Sequence, residues 1–227
     1  MSLFSPETYV LKDFAGSSHR RLAAWVGELP RGARLLELGP GAGHVAHLVR
    51  RPDLVWHGIE RRLDCLGPLR GTLGGGLLTD LEALPRLPAG YAMVVAADVL
   101  EHLADPERAL ELARRALLPG GALLVSVPNV ANLWVRLNLL MGRFPYADRG
   151  ILDRTHRTFY TRASLRRALE AAGFAVEREA VSPIPLRLAL PRWPRALVAP
   201  LDALLRGTTA LLPALLGYQF LAFARTR

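Results

Sequence analysis

One stretch constrains this chain more than any other. Arg34-Leu35-Leu36-Glu37-Leu38 is a mostly apolar, strand-like run that passes directly into Gly39-Pro40-Gly41-Ala42-Gly43-His44. A helical Val/Ala/Leu stretch follows, from Val45 to Val49. A strand that turns into a helix over bare glycines leaves room for a ligand against the backbone, and it aims free N–H groups at that ligand. The spacing narrows the choice of ligand. A dinucleotide fingerprint, G-x-G-x-x-G, requires glycine at position 44. Position 44 is histidine and the third glycine stands at 43, so that pattern is excluded.

A loop of this kind sits in an α/β sheet, and the composition allows one. Of 227 residues, 51 % are hydrophobic, which suits a single domain with a sizeable core and excludes a disordered chain. Cys65 is the single cysteine, so neither an internal disulfide nor a cysteine-based metal cluster can form. Residues 1–30 show no basic segment leading into an apolar one, and no apolar run is long enough for a membrane span. The expected location is cytoplasmic.

Taken in order, Asp13 to Leu29 reads as a helix, stopped by Pro30-Arg31-Gly32. The first strand, glycine loop and crossover helix follow, to about residue 50. Leu54 to Glu60 is a second strand that ends on a carboxylate, 17 positions past Gly43. An acid at such a strand end can accept hydrogen bonds from both hydroxyls of a ribose. After a short helix near 61–70 and the run Gly74-Gly75-Gly76, Leu77-Leu78-Thr79-Asp80 reads as a third strand. Tyr91 to Asp98 is a nearly continuous apolar run, the pattern of a parallel strand covered on both faces. It runs into Val99-Leu100-Glu101-His102-Leu103. Asp105-Pro106 caps a helix that ends at Pro119-Gly120-Gly121, and Ala122 to Asn129 is the fifth strand. Asn132 to Met141 looks helical and 144–154 loop-like. Thr161 caps a helix that ends at Gly173, Phe174 to Val181 is a sixth strand, and Tyr218 to Ala224 a seventh.

Glu37-x-Gly39-x-Gly41-x-Gly43, Glu60, Asp80, and Asp98 to His102 with the Pro-Gly-Gly strand after it stand in the order of the class I S-adenosylmethionine (SAM) dependent methyltransferases, which this chain resembles over about residues 34–128. The pattern around Asp98–His102 and His156–Thr161 is most similar to the branch with quinone-biosynthesis O-methyltransferases and methyltransferases of cell-surface glycans. The resemblance implies a Rossmann-like, doubly wound, seven-stranded and mostly parallel sheet, with helices on both faces and the last strand antiparallel. It implies SAM as cofactor, held by Glu37, Gly39, Gly41, Gly43 and Asp98, with Glu60 on the ribose and Asp80 and Leu81 beside the adenine. A hydroxyl acceptor would need a general base, and the candidates are His156 and His102, with His44 more on the cofactor side. No spacing suggests a metal site. Base-methylating nucleic-acid enzymes carry Asn or Asp followed by Pro-Pro and an aromatic after the fourth strand. Asp98-Val99-Leu100-Glu101 argues against that reading, and a non-catalytic SAM-binding module is the further alternative.

Two segments exceed a minimal domain spanning residues 1–227. Residues 130–160 are expected to form a lid bringing Trp134, Phe144, His156 and Tyr160 to the methyl site. Residues 183–216 mix leucines with four Arg and one Asp, while residues 1–128 are neutral overall. Pro191, Pro194, Pro200 and Pro213 are expected to break this segment into short pieces. Apolar surface with interspersed arginine fits a lipid surface at the inner membrane face or a lipid-linked or small-molecule substrate; a core hairpin or a homodimer interface is the alternative.

Overall fold

The structure is a computed structural model that describes residues 11–69, 71, 73–190 and 192–227. Its elements run α1 (Ser18–Gly27), β1 (Arg34–Leu38), α2 (His44–Val49), β2 (Val55–Glu60), α3 (Leu66–Leu69), β3 (Gly75–Leu78), β4 (Tyr91–Ala97), α4 (Pro106–Ala116), β5 (Leu117–Pro128), α5 (Leu133–Leu140), α6 (Arg162–Ala171), β6 (Phe174–Ser182), α7 (Leu186–Ala189), α8 (Arg195–Leu211), α9 (Pro213–Leu216) and β7 (Gln219–Thr226). Seven strands form one sheet in the order β3-β2-β1-β4-β5-β7-β6. The first five are parallel, and β7 runs antiparallel to both β5 and β6.

Period-two alternation builds a core on each face of the sheet. Leu36, Leu38, Val94, Ala96, Leu123 and Val125 point to the side covered by α4 and α6. Leu35, Trp56, Met93, Val95 and Leu124 point to the side covered by α1 and α2. The chain leaves β1 towards β2 and returns at β4 on the other side. Between β1 and β4 the strand order reverses, and a crevice opens at their carboxyl ends.

Four boundaries differ from the sequence reading. The first helix starts at Ser18, because Gly16 takes φ +81° and the Ser17 side chain caps the turn. The third strand takes in Gly75 and Gly76 and ends at Leu78, which places Asp80 past it. A Cβ on Gly76 would lie 2.6 Å from the Gly58 carbonyl oxygen, so only glycine lets β3 approach β2. The fifth strand begins at Leu117 and carries Pro119-Gly120-Gly121 as an irregular edge opposite Tyr91–Met93. Finally, α8 runs unbroken through Pro200. Pro200 lies near the start of the helix on an exposed face, where water can satisfy the carbonyl that loses its donor. Pro191 lies outside the described residues. Among the described residues no helix is long and apolar enough to cross a membrane.

Candidate active site

The crevice is a cavity of about 890 Å³. Its floor is the glycine loop. Gly39 has φ +59°, and a Cβ there would lie 3.0 Å from Val99 Cγ2. Gly41 has φ +56° with open space where a Cβ would stand, so the loop presents bare backbone to the cavity. Gly43 also has positive φ, but its N–H donates to the Pro40 carbonyl and it does not line the cavity. It stands at the N-cap of α2, in the left-handed conformation that starts the helix.

Two carboxylates brace this loop. Glu60 Oε2 accepts from Gly41 N at 2.8 Å and Oε1 from Arg62 N at 2.9 Å. Each oxygen keeps a lone pair for a ribose hydroxyl. Glu37 is buried beneath the loop, where Trp56 Nε1 donates to its Oε2 at 3.0 Å. Burial pushes its carboxyl up to about 8, against the bond from Trp56, and nearby Glu60 adds to the rise. Asp80 caps the 3-10 turn Leu81–Ala83, with Oδ1 accepting from Glu82 N, and Leu81 is buried beside it; both line the cavity. The bare cradle at Gly41, the braced acid at Glu60 and the apolar wall at Leu81 fit an adenosine-bearing methyl donor.

Replacing Glu60 with alanine removes a loop brace and the two carboxylate oxygens expected to accept from a ribose. SAM affinity is expected to fall by about 1–3 kcal/mol, with calorimetry as the check. Unchanged affinity would take Glu60 out of the site.

Asp98, at φ +55°, follows β4 and is clamped from three directions. Ser126 Oγ donates to its Oδ1 at 2.7 Å and Gln219 Nε2 at 2.6 Å, and Lys12 Nζ reaches Oδ2 at 2.9 Å. Burial alone would raise its carboxyl, but Lys12 and Ser126 outweigh that and hold it near 2. Lys12 and Gln219 were not singled out from the sequence. Lys12 is the chain's only lysine, which was the one available signal. The Lys12 N–H donates to His19 Nδ1 at 3.1 Å, and burial drives His19 down to about 3. His44 stacks at 5.4 Å from His19 and lines the same end of the cavity.

His102 and His156 also line the cavity and meet there, with ring centroids 4.8 Å apart. Hydrogen bonding sets both tautomers. His156 Nδ1 faces the Ile151 carbonyl at 3.1 Å, which can only accept, so Nδ1 carries the proton. Thr155 Oγ1 donates to Asp153 Oδ1 at 2.7 Å and therefore accepts from His102 Nδ1 at 3.1 Å. Both Nε2 atoms are left as acceptors. Burial lowers both imidazoles, and His156 lowers His102 further, so both rings are neutral near pH 7. Glu101 is buried beside them, and neither of its carboxylate oxygens has a hydrogen-bond partner. Burial, then the charge of Asp98, pushes its carboxyl well up. One donor atom from each of Glu101, His102 and His156 lies within 4.8 Å of the others. This set can relay a proton, and it is also of a kind that holds a cation, although sequence spacing suggested no metal site.

The residues expected in the lid divide between the cavity wall and elsewhere. Arg149, Gly150, Asp153, Thr155 and His156 of the insertion line the cavity. Trp134 is exposed, Tyr160 is buried in the sheet core and Phe144 packs on Val135, Ile151 and Leu152, and none of the three lines the cavity.

The sequence profile of a family described as "Methyltransferase domain" matches residues 11–179. The chain belongs to that family. Residues 11–179 thus form a class I SAM-dependent methyltransferase domain, of the kind that takes SAM as cofactor. A curated relative, the ubiquinone biosynthesis O-methyltransferase of Aeromonas salmonicida (strain A449), is 30 % identical over 155 residues, covering 64 % of each chain. Among solved structures, magnesium protoporphyrin IX methyltransferase (ChlM) from Synechocystis PCC 6803 matches with a TM-score of 0.63 at 15 % identity, over 92 % of this methyltransferase and 82 % of that chain. A SAM-dependent methyltransferase from Archaeoglobus fulgidus matches at 0.61 and 16 %, over 92 % of both. The [4+2]-cyclase SpnF matches at 0.60 and 23 %, over 91 % of this chain and 80 % of that one. At these identities the structural matches establish the fold alone, and the fold does not choose the acceptor.

Proposed function

We propose that this methyltransferase transfers the methyl group to a hydroxyl oxygen of a small-molecule, lipid-linked or glycan acceptor. The observation that carries the reading is the pair of neutral imidazoles, His102 and His156, each with a free Nε2 in the cavity. A hydroxyl must lose its proton as it becomes an ether, and a neutral imidazole within hydrogen-bond reach can take it. SAM supplies an electrophilic methyl on a sulfonium. The chain supplies the rest. Glu60 and the glycine loop orient one partner, His156 or His102 takes the proton of the other, and the insertion at 149–156 walls off water. The O-methyltransferase named among its relatives supports oxygen as the methylated atom.

The test is transfer of tritium from methyl-labelled SAM into host extract, split into lipid, glycan, small-molecule, protein and RNA fractions. Label is expected in one of the first three, in a bond that survives mild alkali as an ether does. Label confined to RNA or protein, or released by alkali as from an ester, would overturn the reading.

A further inference from the structure

Soluble domains bury leucine and expose charge, and α8 does the reverse. Leu197, Leu201 and Leu204, spaced on one helical face, are 60 %, 40 % and 63 % exposed. The charged pair on the same helix, Asp202 with Arg206, is the better buried part, its side chains being 15 % and 37 % exposed. The same happens on α5, where Leu133, Leu137 and Leu140 follow helical spacing and are all exposed. Of the nineteen exposed large apolar side chains among the described residues, thirteen lie in 133–141 and 188–212. That concentration marks an interaction surface.

The two insertions that carry the stripes are tied together at one corner. Asn132 Nδ2 at the start of α5 donates to the Gly217 carbonyl, and Asn129 Nδ2 donates to the carbonyls of Ala214 and Gly217, just past the end of α8. The same insertions also form the rim of the cavity. Ile184, Pro185 and Leu188 line it from one side and Arg149 to His156 from the other. Leu188 is exposed and lines the cavity at once, so apolar surface runs from the outside into the site.

Charge selects the occupant. Arg136, Arg143, Arg187 and Arg192 make no ion pair among the described residues. A second copy docked by two-fold symmetry would set this cationic face against itself. We propose that α5 and α8 form a docking face for a lipid bilayer with anionic headgroups, and that the cavity takes its acceptor from that bilayer. Leucines enter the interface and the arginines engage phosphates at its edge. The second half of this proposal rests on the methyl-transfer reading; the first half does not.

The test is flotation of the full chain with phosphatidylcholine vesicles, with and without phosphatidylglycerol, at low and high salt. The chain is expected to float with phosphatidylglycerol at low salt and to release as salt rises. Replacing both Leu197 and Leu204 with glutamate should weaken binding at least about tenfold. The pair Arg187→Gln and Arg192→Gln should weaken it about 30-fold at low salt and little at high salt. Melting curves and SAM calorimetry verify that the variants fold, and the arginine pair tests the face should the leucine pair not fold. A chain that stays soluble at low salt overturns the proposal. So does a leucine pair that turns a dimer into a monomer in sedimentation while flotation is unchanged. A chain that floats but transfers no methyl refutes the methyl-transfer reading and leaves the docking face standing. One that transfers methyl without floating does the opposite.

Discussion

Replacing His156 with alanine is expected to lower turnover by about 10²–10⁴-fold while SAM affinity stays within about twofold. The asymmetry follows from the site. His156 comes from the insertion after β5, makes no hydrogen bond to Glu60 or the glycine loop, and has its Nδ1 committed to the Ile151 carbonyl. Its other nitrogen is an acceptor with burial holding the ring neutral. Single-turnover kinetics beside SAM calorimetry separate the two quantities. A purely structural histidine would instead show a lower melting temperature and an equal loss in both. Turnover equal to that of the parent chain would remove His156 from the mechanism and leave His102 as the base.

The second large effect is on stability against pH. Glu37 has a folded-state carboxyl pushed up to about 8, far above its value in an unfolded chain. An acid raised in this way holds its proton in the folded state after the unfolded state has lost it. Its stabilising share is therefore complete below about pH 4.5 and is lost as pH rises towards 8. At about 1.4 kcal/mol per unit, the loss across that window approaches about 5 kcal/mol for this one group. Glu101, raised in the same direction, adds to the slope. Denaturant unfolding at pH 5 and pH 9 should show the fall. Glu37→Gln keeps an acceptor for Trp56 Nε1 and removes the ionisation, so it should flatten the slope. Equal stability at both pH values in the parent chain would show that Glu37 sits in a wetter place than its burial implies.

The parallel half of the sheet was legible because each of its strands is a short apolar run that ends on a chemically distinct residue. Glu37 to Gly43, Glu60 and Asp98 stand at strand ends, and strand ends are where this topology gathers ligands. Other features depend on pairing that no local pattern displays. Gly75 and Gly76 read as a glycine run before the third strand, and only their pairing with His57 and Gly58 puts them inside it. Pro200 looked like a breaker, and only its exposed position near a helix start makes it harmless. The clamp on Asp98 joins residues 12, 126 and 219, and the proton-handling cluster joins 101 and 102 to 156. Separations of that size carry no periodicity. Trp134 and Tyr160 misled for a related reason. An aromatic side chain fits a lid, a core or an exposed patch equally well, and only packing decides among them.

The place of β7 has a consequence for synthesis. It is the last strand in the chain, yet it lies inside the sheet, between β5 and β6. Before it emerges from the ribosome, β6 has no neighbour to pair with and β5 has an open edge. Asp98, already made, still lacks the amide of Gln219. The nascent protein can assemble β1 to β5 early, but a finished pocket waits for β7 and its Gln219. That interval is when a nearby membrane or a chaperone would have most influence on the fate of the chain.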